Sequence, residues 1–204
     1  MGHPAFFDEA PRILVRDPLA DLLGAADGGL LEYRYLDAVR LAGHSCPTVA
    51  GAWLAARTAL RALYPDEPAE RGGIAVQMPA PEDEGVTGVI AQVLTLVTGA
   101  AAGNGFHGIG GRHARQALLG YADAATGDAI RFSRRDNGAT VAVALDLSRV
   151  PPAPQLRGLM AAALQPAATD AQRAAFARAW QDRVRRLLLE HADDPAMLRV
   201  TRLH

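Results

Sequence analysis

The chain reads as an α+β protein: a helix, a strand and a second helix, then three strands forming an antiparallel meander, with further helices at the C-terminus. Three observations predict this. Between Thr48 and Tyr64 the apolar residues Val49, Trp53, Leu54, Leu60 and Leu63 fall largely on one helical face, with Arg57 and Arg61 on another. Gly73 to Met78 is a short apolar run bounded by Gly72 and Pro79, the pattern of a buried strand. Leu118 to Ala122, Ala129 to Arg134 and Thr140 to Asp146 alternate as strands do, joined by turn signals at Thr126-Gly127 and Asp136-Asn137-Gly138. The expected product is one domain over 1–204, a mixed sheet with helices packed on it, whose core spans 30–150 and whose helical extension spans 154–204.

Taken in order, Met1 to Gly29 reads as an irregular lead-in with a short helix at Pro18 to Leu23, ended by Gly24 and the Asp27-Gly28-Gly29 turn. Leu30 to Leu41 has apolar residues at mixed spacing, which leaves helix and strand both open. Pro65 stops the helix that begins near Thr48. The run Val86 to Ala101 is charge-free, with Val89, Ile90, Val93, Leu94 and Val97, and predicts a central buried helix. It is short for a bilayer span and is interrupted by Gly88 and Gly99, so no membrane partner is expected. Pro151, Pro152 and Pro154 mark a linker before a helix at Gln155 to Leu164. Thr169 then caps a helix from Asp170 to about His191, with Phe176, Trp180, Val184, Leu187 and Leu188 along one stripe.

Composition narrows the function. A length of 204 residues with 50% hydrophobic content allows one sizeable core. A formal net charge of −1 gives no electrostatic case for nucleic acid. All 21 basic residues are arginine, which excludes a phosphate-loop lysine, a Schiff-base lysine and a kinase-type lysine. A single cysteine excludes an internal disulfide. The first ten residues have neither a basic leader nor a continuous apolar core, so a cytoplasmic location is the default expectation.

The chemistry concentrates at Gly43-His44-Ser45-Cys46-Pro47-Thr48, which holds the sole cysteine. Pro47 suits the first turn of a helix, and this sets Cys46 at the N-terminus, where unpaired amides and the helix dipole favour a thiolate. A second feature is the glycine-rich stretch Gly103 to Gly111, with His107 at its apex. It contains Gly-x-Gly-x-x-Gly, but it follows a helix rather than a strand, which argues against dinucleotide binding. The acidic cluster Glu82-Asp83-Glu84 precedes the second helix, where acids commonly sit as solvated caps.

Two segments carry a resemblance. Gly43-His44-Ser45-Cys46-Pro47, and Gln92 to Gly105 with its Val97-Thr98-Gly99-Ala100-Ala101-Ala102-Gly103-Asn104-Gly105 tail, resemble the N-terminal domain of the FmdE family, named for one of the components of formylmethanofuran dehydrogenase. The resemblance extends more weakly to about Leu147. It implies an α+β domain with a mixed sheet, a topology also seen in the catalytic domain of glyceraldehyde-3-phosphate dehydrogenases, and a bound transition metal, commonly zinc. Ala100 stands at the family's second cysteine and Asn104 at its lysine. The C-terminal zinc ribbon of longer members has no counterpart here.

The leading expectation is a site for zinc or another late transition metal on His44 and Cys46, with His107 as third ligand and Glu84 as a possible fourth. It requires the two main helices to lie antiparallel, so that the start of one meets the end of the other. One alternative is a module holding haem or another planar cofactor through the same histidines or Cys46. Another is a metal-free thiol enzyme with Cys46 as nucleophile and His44 or His107 as base. The expected partner is a small-molecule ligand or a metal. A homo-oligomer is also expected, from the charge-free second helix and the Phe176, Trp180, Leu187 stripe.

Overall fold

The computed structural model describes residues 2–122, 124 and 127–203. Its α+β architecture has two sheets. The smaller contains β1 (Ile13–Arg16), β2 (Leu30–Tyr33) and β3 (Ala69–Glu70) in the order β2-β1-β3, antiparallel at β1–β2 and parallel at β1–β3. The larger contains β4 (Ile74–Gln77), β5 (Leu119–Gly120), β6 (Ala129–Arg134), β7 (Thr140–Leu145) and β8 (Leu198–Arg202) in the order β5-β4-β6-β7-β8. The expected strand at Leu118 to Ala122 therefore does not open the meander. As β5 it lies on the other side of β4 and parallel to it, because a helical crossover separates the two. The antiparallel run is β4-β6-β7-β8. The turn expected at Thr126-Gly127 lies partly outside the described residues.

The helices are α1 (Phe6–Glu9), α2 (Pro18–Leu22), α3 (Tyr35–Ala42), α4 (Pro47–Leu63), α5 (Thr87–Thr98), α6 (Leu156–Ala163) and α7 (Asp170–Leu189). The more central of the two main helices is α4 rather than α5. Ala50, Ala52, Ala55, Ala56 and Ala59 are fully buried along it, and this small-residue surface lets β7, α5 and α7 all approach closely. At Gly51 a Cβ would fall 2.6 Å from Leu145 Cδ2. Trp53 is fully buried, with its indole N–H donating to Pro11 O at 2.9 Å. α5 ends on Gly99 at φ 73°, a left-handed C-cap that glycine adopts without penalty.

The core also draws on both ends of the chain. Phe6, Phe7, Ile13 and Val15 from the stretch read as an irregular lead-in are buried in it, as are Val184, Leu187, Leu188 and Leu198 from the stretch read as an extension. α7 starts with a reciprocal cap, Thr169 Oγ1 accepting from Gln172 N while Gln172 Oε1 accepts from Thr169 N. Of its apolar stripe, Val184, Leu187 and Leu188 are buried in the core of the chain, while Phe176 and Trp180 stay partly exposed. Among the described residues no helix is long and apolar enough to cross a membrane.

Helix direction decides what meets what. Leu63 O, at the end of α4, accepts from Arg134 Nη1 at 3.1 Å, and Arg134 pairs with Ile74 at the start of β4. Thr98 O, at the end of α5, accepts from Gly72 N at 2.7 Å, two residues before the same strand. Both helices run antiparallel to β4 and therefore parallel to each other. The start of α4 and the end of α5 lie at opposite ends of the helix pair, not together as expected.

Candidate functional site

The motif around Cys46 is a structural joint. Cys46 has an extended backbone and caps α4, its sulfur accepting from Val49 N at 3.5 Å, and only 7% of it is exposed. Ser45, which the sequence did not single out, is the hub. Its hydroxyl donates to Gln181 Oε1 at 3.0 Å, which leaves Tyr35 to donate to it at 2.9 Å. Its carbonyl accepts from Trp180 Nε1 and Gln181 Nε2 at 3.0 and 3.1 Å. Burial, and to a lesser degree the neighbouring Cys46, hold the Tyr35 hydroxyl well above its ordinary pKa despite the Ser45 bond. These contacts dock α7 onto the start of α4.

The proposed metal ligands are not brought together. His44 is exposed, with Nδ1 bonded to Ala42 O at 2.9 Å, and His107 and Glu84 are exposed on separate loops. Among the described residues no three His, Cys, Asp or Glu side chains form a group that could hold a metal ion. For His107 the reason is the parallel packing of α4 and α5, which puts the end of α5 at the far end of the pair from the start of α4. It also separates His44 and Cys46 from the glycine-rich loop that was to floor a planar-cofactor cavity. No hydrogen bond joins Cys46 to a histidine among the described residues, so the thiol has no base in place. The folded protein is accordingly expected to react with iodoacetamide at least ~10-fold more slowly than the urea-unfolded chain. Equal rates would show that Cys46 is open to solvent.

The segment after α5 runs outward and returns, with Arg115 N donating to Phe106 O at 2.7 Å and Ala101 N to Arg115 O at 3.0 Å. It thereby buries Arg115, 7% exposed, against the end of α5. There Asp17, 3% exposed, stands between two guanidinium groups, accepting from Arg115 Nη2 at 2.5 Å and Arg71 Nη1 at 2.8 Å. Asp17 also caps α2 through Leu19 N at 2.9 Å. Burial pushes its carboxyl pKa up, but the Arg71 hydrogen bond, the Arg115 charge and the Leu19 amide together outweigh that and hold it below the ordinary value. Gly72, at φ 87°, leaves the space that Arg115 fills: a Cβ there would overlap its guanidinium. Nothing local marks this triad in the sequence. The sole hint is a set of glycines, Gly72 and Gly99, flanking arginine-bearing segments.

Beside the triad, along α5, runs a cleft of about 400 Å³, within the range of small-molecule sites. Its apolar wall includes Ala91, Leu96 and Leu119, and its polar groups include Arg71, Glu82 and Gln92. Thr95, Asn104 and Tyr121 complete the polar set. Burial, and then the charge of Glu82, hold the Tyr121 phenol above its ordinary pKa. A larger cavity of about 620 Å³ opens around Gln77, Ala129 and Arg131, on the sheet face turned away from α4. Ala122 and Gly127 are among its lining residues.

Fold and cleft together define an α+β protein with a buried charge triad at one end of a small-molecule-sized groove. No protein-family model matches the chain, and no curated protein matches it.

Proposed function

We propose that this protein binds a small organic molecule in the cleft beside α5. The observation that carries the reading is the combination of an apolar wall with a few convergent polar groups, one of them an arginine fixed from behind by a buried carboxylate. The segment Gln92 to Gly105 supplies Gln92, Thr95, Ala101, Ala102 and Asn104 to the groove. Gln92 is exposed on a helix, so Gln92→Trp fills the groove without entering the core. Neutral fragment-sized probes detected by ligand-observed NMR are expected to bind the parent protein and to lose most of that binding in Gln92→Trp. Unchanged binding in a variant of unchanged melting temperature would place the probes elsewhere and sink the reading.

Transition-metal binding, zinc by the resemblance, is the second reading, and one observation favours it. The Nδ1 contact of His44 with a backbone carbonyl leaves Nε2 exposed, as in imidazoles that ligate metals. The other donors would come from a second copy of the chain or from a bound molecule. Metal analysis of protein made without a polyhistidine tag tests it: His44→Ala should abolish any zinc content, while Cys46→Ala should not. Zinc that survives His44→Ala lies elsewhere.

A further inference from the structure

The two ends of the α5 cleft carry opposite charges, and from this we infer that its ligand is an elongated zwitterion, with an anionic group on Arg71 and an amino group on Glu82. The inference rests on the small-molecule reading above and adds the class of ligand.

At one end, a single carboxylate, Asp17, serves two guanidinium groups, so one positive charge is left in excess. Glu70 is the other acid whose charge reaches Arg115, but it is exposed and screened by water. Arg71 commits Nη1 to Asp17 and Nε to Leu96 O, at 2.8 and 3.2 Å. Nη2 has no hydrogen-bond partner among the described residues. A guanidinium held in this way offers a preoriented donor to a carboxylate, without the freedom it would lose if it were mobile. At the other end, Glu82 has no ion-pair partner among the described residues, and Tyr121 lies beside it.

The separation of these ends sets the length of the ligand. Glu82 O lies 3.1 Å from where a Cβ on Gly88 would be, and Arg71 bonds the carbonyl of Leu96. Eight residues of helix between Gly88 and Leu96 span ~12 Å. An α-amino group and an α-carboxylate, both on one carbon, cannot reach both ends. A chain with a carboxylate at one terminus and an amine at the other can. Its methylenes would lie on Ala91, Leu96 and Leu119. The same layout selects against alternatives: a diacid would meet Glu82 and a diamine would meet Arg71.

Calorimetric titration of the whole chain with 6-aminohexanoate, hexanoate and hexylamine tests this. The zwitterion is expected to bind at least about tenfold more tightly than either singly charged probe. Glu82→Gln, a change on an exposed loop, should bring 6-aminohexanoate down to the level of hexanoate and leave hexanoate binding intact. If hexanoate or hexylamine matches 6-aminohexanoate while neutral fragments still bind the parent and not Gln92→Trp, the zwitterion assignment falls and the cleft stands. If neither neutral nor charged probes bind, both readings fall together.

Discussion

Replacing Asp17 with alanine is expected to destabilise the protein by about 3–5 kcal/mol, the range for stripping one partner from a buried charge pair. Among the described residues the carboxylate is the one counter-charge held between Arg71 and Arg115, so its removal leaves two guanidinium groups facing one another with little water. Arg115 Nε already lacks a hydrogen-bond partner, so losing Asp17 would leave this buried guanidinium still less satisfied. The opposite truncation should be milder: Arg115→Met leaves a neutral Asp17–Arg71 pair and an aliphatic chain in the same space. Urea denaturation at neutral pH gives the ranking. Asp17→Ala within about 1 kcal/mol of the parent would show that the triad is not held dry.

The direction of the Asp17 pKa shift adds a pH signature. The folded state holds the carboxyl below its ordinary value of 3.8, so the unfolded chain takes up its proton first as the pH falls. The stabilisation is fully present above the unfolded pKa and is lost as the pH falls through the folded one. Asp17→Asn, which cannot titrate, should therefore lose less stability than the parent between pH 5 and the acid limit. Parallel pH–stability curves would mean that the carboxyl titrates alike in both states.

What the sequence made legible was local. The amphipathic stripe at Thr48 to Tyr64, the caps at Pro47 and Thr169 and the alternation at Ala129 to Arg134 each depend on neighbours within a few residues, and each element formed within a residue or two of its expected place. What was missed depends on pairing at a distance. β1 is four residues long and was hidden in a segment rich in turn signals, β3 is a two-residue strand whose parallel partner lies far away in sequence, and β5 was expected as a strand but not as the parallel neighbour of β4. Arg71 and Arg115 are two of 21 arginines, separated from their shared acid by 54 and 98 positions, and nothing in local spacing distinguishes them. Cys46 shows the boundary from the other side. Its place at a helix start was readable, whereas its burial depends on α7 returning to dock on Ser45. The direction of α5 relative to α4 is set by the crossover from β4 to β5, and that crossover decided whether a His–Cys site could assemble.

Gly72→Ala is expected to cost about 3–5 kcal/mol although it adds one methyl group. Two effects combine. At φ 87° an L side chain is strained by ~1–2 kcal/mol whatever surrounds it. The new Cβ would also occupy the place of the Arg115 guanidinium, which is buried and pinned to Asp17 and so cannot swing aside as a surface arginine would. The guanidinium must leave the triad, and its departure strips Asp17 of one of its two arginine partners while opening the end of α5. A double-mutant cycle separates these effects. In an Arg115→Ala background the space beneath Gly72 is empty, and Gly72→Ala should cost only the backbone strain. The coupling between the two substitutions should then exceed about 1.5 kcal/mol. An identical cost in both backgrounds would mean that Arg115 yields freely. In that case Arg71 would keep its place through Asp17 and Leu96 alone, and Arg115 would not be needed to hold that end of the cleft.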